Sequence, residues 1–570
     1  MSHVRLLPAT LVAVLFLTTP ALAAPGLGNP VAKPASTAAG AHSDLTVSFD
    51  VTGLGAVGSG GDDLKSLQLD LPAGLAGNPL STGATCTKDQ LNADACPDGT
   101  KVGTTVTTAT VLVEGASQDI SGDIYNETPA AGEAARLGIV LRPAGGLLGK
   151  VILESPVHVR PADGGLTSTV DNIPNTSSGL DLRIDKMSLT LLGKLASGKF
   201  FTSNPTSCDP ATTTISIKTY GGASASTTAG FSPTACDALP FAPQVTASLG
   251  PTRADLRSGG KPALTVTVTQ QPGEANAKSV TVALPTGIGA DLLALNSACP
   301  LADYQAGTCA AAAVVGSGAA VSPFLAQPLT GPVTLVADPS APLPQLRIAL
   351  RGAFPVDLTA NVGFGEGGRL VNTIDGIYDV PISSFALTIN AGPTSPLVAG
   401  TDLCVAGTTD LTGTFVAHSG KTATANATAS TVGCDAIRGA ALSARVGKLA
   451  GGKPSLRLKA ADADRNLDFI RVRLPKGLSF TKRAVKLTDA RLTGRGAGAP
   501  TVKLVKGALE ISIDHGGAAS ANVFLGKGAI RVSKKLKHAK HPKLKLRVQY
   551  RLAGQQITPK AIKLPIAKKV

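Results

Sequence analysis

The side chains with the most chemistry to offer are eight cysteines: Cys86, Cys96, Cys208, Cys236, Cys299, Cys309, Cys404 and Cys434. Two chemistries compete for them. Zinc would call for Cys-x-x-Cys spacing or accompanying histidines, but no such pair occurs and no histidine recurs with the cysteines. Disulfides fit better in an exported chain. The cysteines fall four to each of two sequence repeats, and four cysteines allow three pairings. Cys86–Cys96, Cys208–Cys236, Cys299–Cys309 and Cys404–Cys434 are favoured because each closes a short loop, stabilising by roughly 2–4 kcal/mol through the unfolded chain.

Catalytic signatures are missing. There is no Gly-x-Ser-x-Gly elbow and no His-Glu-x-x-His. Asp514 and His515 adjoin, yet neighbours on a strand face opposite ways. A glycosidase needs two carboxylates a few ångströms apart, and a chain without Trp is poor in the aromatic platforms that sugar sites offer. "DADRNLD" (Asp462–Asp468) spaces oxygen ligands as a calcium loop does, but Leu467 stands where an EF-hand needs Gly and Arg473 where it needs Glu. "GKLAGGKP" (Gly447–Pro454) ends in Pro where a phosphate loop needs Ser or Thr. No catalytic residue, metal or cofactor is assigned.

Charge is the stronger signal. Residues 438–570 carry 31 Lys and Arg against 6 Asp and Glu, whereas the rest carries 22 against 32. The cations follow strand period. In "KLKLRVQYRL", Lys543, Lys545, Arg547 and Arg551 face one way, and Leu544, Leu546, Val548, Tyr550 and Leu552 the other. Arg457 and Lys459 alternate likewise in "LRLK", and Arg471 and Arg473 in "IRVRL". If these strands pair, they make one cationic sheet face, with same-strand charges roughly 6.5–7 Å apart. Such self-repulsion costs stability that an anionic partner would restore. Outside the cell the available partners are wall polymers, acidic polysaccharides and anionic headgroups rather than nucleic acid.

The elements that must position these residues are strands. Short alternating runs such as "LTVTVTQ", "LEISI" and "LRIAL" dominate, and 64 Gly with 39 Pro supply many turns. "LQLDLPAGL" (Leu67–Leu75), "VTVALPTGI" (Val280–Ile288) and "IRVRLPKGL" (Ile470–Leu478) each end a strand on Leu-Pro-x-Gly. Pro second and Gly fourth suit a type I turn. These phrases mark repeats. Leu71, Pro72, Gly74, Cys86, Cys96, Val102 and Gly103 all recur 213 positions later, and "TVDNI" at 169 returns as "TIDGI" at 373. Between Cys86 and Cys96, Thr87 and Gln90 suit a capping box. "CPLADYQAG" reads as the equivalent helical turn.

The expected organisation is all-β, with tandem Ig-like β-sandwich domains. Residues 1–23 read as a signal peptide: a basic start, apolar Leu11–Leu17, too short to span a bilayer, and an Ala-Leu-Ala cleavage site. Residues 24–42 read as a linker. Repeat 1 covers 43–237 in two lobes, about 43–118 and 119–237. Repeat 2 covers 241–435, with lobes of about 241–323 and 324–435. A basic β-sandwich spans 438–570. No transmembrane segment is expected in the mature chain, and the oligomeric state is open.

The phrases "LDLPAGLAGNP…C…ACP…VG", "ACP…GTC…PLTGPVTL", "TIDGIYDVP" and "LPKGLSF" resemble those of exported β-repeat (surface or secreted) proteins of high-GC Gram-positive bacteria. The resemblance implies repeated β-domains at or outside the envelope and brings no activity with it. Repeat 1 departs from it, with "SQDISGDIYNE" where repeat 2 has "AQPLTGPVTLV". The leading expectation is a secreted or cell-surface, non-enzymatic structural or adhesive protein whose cationic module meets an anionic envelope polymer. A soluble binder of polysaccharide or protein comes second, and an extracellular hydrolase last.

Overall fold

The computed structural model describes residues 24–55, 57, 62–111, 117–147, 149–177, 179–404, 408–434, 440–462, 466–493, 499–513, 517–552 and 557–567. The signal expected over 1–23, the Asp514–His515 pair and positions 463–465 of the Asp462–Asp468 loop lie outside them.

The chain is all-β. In the first repeat, Gly26–Pro34 pairs with Leu45–Thr52, which pairs with Leu180–Leu191. The same sheet continues through Lys101–Val111, Ser117–Glu127, Ala135–Leu141, Val151–Val159 and Leu166–Val170 to Leu64–Asp70, Ala211–Thr219 and Ser224–Phe231. Its two end strands pack together, so the sheet curls on its apolar face like a barrel. Phe49, Leu67, Ile124 and Ile215 fill the inside. The second repeat keeps the same order, from Gln244–Gly250 and Ala263–Thr269 through Ser384–Ile389 and Val314–Val321 to Ala277–Ala283, Asp410–Ala417 and Thr422–Thr428. Its own core includes Val333, Ile348 and Phe415. The duplication is therefore one of topology as well as of sequence.

Two expected boundaries differ. The stretch read as a linker, 24–42, carries the end strand Gly26–Pro34. Its prolines are tolerated because Pro30 falls where the register shifts and Pro34 closes the strand. No seam lies near residue 118 or 323, since Lys101–Val111 pairs with Ser117–Glu127 and Val314–Val321 with Leu329–Ala337. The Leu-Pro-x-Gly turn also differs from type I in two of its three copies. Leu75 N–H donates to Pro72 O and Leu478 N–H to Pro475 O, placing Gly74 and Gly477 third in the turn at φ 86° and 93°. That position with positive φ is the one a type II turn reserves for glycine.

All four expected disulfides form, with Cα separations of 5.2–5.9 Å. Thr87 and Gln90 make the capping box of the Lys88–Ala93 helix, whose Leu91 packs on Cys86, Tyr125 and Val140. The equivalent helix, Leu301–Ala306, starts after Pro300 and ends at left-handed Gly307. Among the described residues no helix is long and apolar enough to cross a membrane.

A buried carboxylate joins the repeats. Asp379, 4% exposed, accepts from Thr206 N–H (2.8 Å), Thr206 Oγ1 (2.5 Å), Ser207 N–H (3.2 Å) and Asn276 Nδ2 (2.9 Å). Beside it, Tyr378 donates to Pro161 O at 2.7 Å. Gly74 lies so close that a Cβ there would meet Asp379 at 2.6 Å. Both Tyr378 and Asp379 belong to "TIDGIYDVP", where repeat 1 reads "TVDNIPNTS". The junction thus uses the residues in which the two copies differ.

Candidate functional site: the cationic sheet face

The basic unit is a sandwich of two sheets. One runs Ala441–Val446, Leu456–Ala461, Ser520–Leu525, Thr488–Thr493; the other runs Pro500–Val505, Ala508–Ile513, Leu467–Arg473, Lys545–Leu552, Thr558–Lys563. A single core that includes Leu458, Val523, Ile470, Ile511 and Val548 lies between them. The alternation expected in "KLKLRVQYRL" holds: Leu544, Leu546, Val548, Tyr550 and Leu552 are buried, and Lys543, Lys545, Arg547 and Arg551 exposed.

The eight selected cations do not share one face. Arg457 and Lys459 lie on the four-stranded sheet, whereas Arg471, Arg473, Lys545, Arg547 and Arg551 lie on the five-stranded one, with Lys543 leading into it. Each strand does alternate, but which strands become neighbours is a long-range property that alternation does not contain. The outer faces of the two sheets point away from each other.

On the five-stranded face two cations are compensated. Arg471 donates to Glu510 (2.6 Å) and Gln549 (3.2 Å). Arg551 donates to Asp468 (2.8 Å), and both arginines lie over the Phe469 ring. Four others meet their own kind. Arg473 is directly opposite Arg547, and Lys545 opposite Lys563. Directly opposed side chains have Cβ atoms about 4.5–5.5 Å apart, and like charges there are destabilising. Arg473, Lys545, Arg547 and Lys563 have no carboxylate partner among the described residues. Sequence reasoning missed Lys563 because Pro559 obscures the alternation of its strand. On the other sheet, Arg457 opposes Arg445 and lies over Phe524 at 5.6 Å, while Arg491 pairs with Asp489.

A second charged group was also missed. Glu127 is 2% exposed, at the end of its strand. Burial first, then the neighbouring Glu154 charge, pushes its carboxyl up to about 7. Arg136 binds Glu133 and donates to Glu154 (2.7 Å), and Lys88 pairs with Glu154 (2.7 Å). Burial would raise Glu133 as well, but the Arg136 hydrogen bond, the Ala130 N–H and the Arg136 charge together outweigh it and hold that carboxyl below its ordinary value. Glu133 and Glu154 are tied to cations, whereas Glu127 Oε2 is buried with no hydrogen-bond partner among the described residues, and none of the three lines an apolar cavity. The available signal was the departure of repeat 1: Cys86 bridges to Glu127 where Cys299 pairs with Val336.

No protein-family model and no curated protein matches the chain. Solved structures that align with it include a tetra-tandem repeat from the extending region of a large adhesion protein, at 11% identity and TM-score 0.21, over 96% of this chain and 100% of that one. The N-terminal domain of the Streptococcus gordonii adhesin Sgo0707 aligns at 8% and 0.19, over 97% and 90%. The Enterococcus faecalis MSCRAMM ACE aligns at 8% and 0.18, over 57% and 94%. No shared ancestry or ligand follows from scores this low. Fold and site together define a disulfide-stapled tandem β-repeat protein with a strongly basic terminal sandwich.

Proposed function

We propose that this protein is an exported, non-enzymatic adhesive component of the cell surface. In this reading the repeats 43–237 and 241–435 form a stem joined at Asp379, and the unit 438–570 adheres to an anionic envelope polymer. Four disulfides suit an oxidising location. The observation that carries the proposal is the opposed pairs Arg473/Arg547 and Lys545/Lys563 on one sheet face. A fold that keeps like charges in register loses stability unless an anion sits across them. Arg457 and Lys459 would form a lesser, separate site on the opposite face.

The full chain is expected to sediment with isolated envelopes at about 10 mM salt and to be released near 0.5 M, as the screening length falls from about 30 Å to a few ångströms. Arg473→Glu, Lys545→Glu, Arg547→Glu and Lys563→Glu in combination should lower the retained fraction at least about tenfold by replacing attraction with repulsion. Arg457→Glu with Lys459→Glu should have a smaller effect. Retention indifferent to both salt and the fourfold variant would defeat the reading. A wild-type chain found only in the medium would favour the soluble binder.

A further inference from the structure

The second repeat is not filled. Its curled sheet encloses an apolar cavity of about 350 Å³, within the range of ligand sites, about 300–1,000 Å³. Protein interiors normally leave few voids larger than a water molecule. The wall is made by inward-facing residues of successive strands, among them Val266, Val282, Ala320, Leu335, Leu346 and Ile374. Water would need two to four polar partners to stay there. The few polar side chains on the wall include Gln270, which already donates to Ala275 O, and Tyr378, which donates to Pro161 O.

The shape of the space is informative. The wall passes from the second repeat onto the first, where Leu75, Ala135, Val157 and Leu166 also border a second apolar cavity of about 100 Å³. The two voids adjoin at these residues, so the apolar lining continues from the second repeat into the first. The space has a mouth as well. Leu292 and Phe364 line the large cavity yet are 70% and 63% exposed, and the adjoining Leu293 is 81% exposed. Phe364 pairs with Leu370, and Ile288–Ala290, the strand just before Leu292, lies against Leu370–Ile374, so these residues mark one end. Apolar side chains held out in solvent around an apolar opening suit a partner that is apolar as it enters.

We propose that the second repeat binds one long, unbranched acyl chain, entering past Leu292, Leu293 and Phe364 and running toward the first repeat. The aliphatic wall offers no charged group to a headgroup, so the chain itself is what is recognised. Affinity then rises with length, about fourfold for each methylene buried. This site is separate from the cationic face, and either can fail without the other.

The test uses the full chain purified without detergent. Native mass spectrometry is expected to show one bound acyl lipid per chain. After its removal, palmitate should bind at 1:1 and at least about a hundredfold more tightly than octanoate. Ala320→Phe and Val266→Phe, which fill the cavity, should each weaken palmitate at least about tenfold without lowering the thermal midpoint of the empty protein. Leu292→Asp with Phe364→Asp, both on exposed positions, should slow uptake in a folded protein. Uptake from phosphatidylglycerol vesicles would identify a membrane lipid as the source, and uptake of palmitate alone a free fatty acid. Equal affinity for palmitate and octanoate, absence of palmitate binding, or filled variants that bind like the wild type would each overturn the proposal.

Discussion

Asp379→Ala is expected to destabilise the paired repeats by about 3–5 kcal/mol and to lower their thermal midpoint by about 5–10 °C. The carboxylate takes four hydrogen bonds from Thr206, Ser207 and Asn276 in a site closed to solvent. Without it, backbone N–H groups of Thr206 and Ser207 and the Asn276 amide are buried with nothing to receive them. Unmet donors cost more than the mean worth of a hydrogen bond. Because Thr206 and Ser207 belong to one repeat and Asp379 to the other, calorimetry should resolve the loss as two separate transitions in place of a coupled one. Asp379→Asn keeps the shape and should fall between the two. A variant that melts with the wild type would show that the junction holds by apolar contact alone.

Glu127 is expected to make the first repeat more stable in mild acid than at pH 8. Its folded carboxyl, at about 7, holds a proton more tightly than the unfolded one near 4.5. The folded state therefore binds more protons in that interval, and stability falls as pH rises from about 4.5 to about 7, by about 3 kcal/mol in total. Above that window the folded carboxylate is charged, buried and opposed by Glu154. Glu127→Gln should abolish the slope and raise stability at pH 8 by about 2 kcal/mol, measured by denaturant unfolding at pH 5.5 and 8. Glu127→Val, the residue that repeat 2 carries at the equivalent bridge, should do the same. Glu133 has the opposite sign: its contribution is lost only in stronger acid, below the ordinary carboxylate range. Wild-type and Glu127→Gln curves that ran parallel would end the account.

Much was legible from local pattern. The strand period, the capping box at Thr87 and Gln90, the helical turn before Gly307 and the four disulfides depend on residues close in the chain or repeated at one offset. Gly26–Pro34 was obscure because its prolines contradict strand propensity, and only an edge position with a shifted register accommodates them. The lobe boundaries near 118 and 323 suited the length of an ordinary sandwich, but the strands on both sides bond into one sheet.

By itself, the sequence determined that this is a twice-copied, disulfide-bearing β protein with a cationic end, since alternation, cysteine spacing and charge are read along the chain. Tertiary structure alone decided which cations oppose one another, that Asp379 joins the repeats, that Glu127 is buried beside other acids, and that the second repeat encloses an apolar cavity. The physical reason is sheet pairing. It sets residues far apart in sequence about 5 Å apart in space, and a closed sheet can leave its middle empty however well each strand is written.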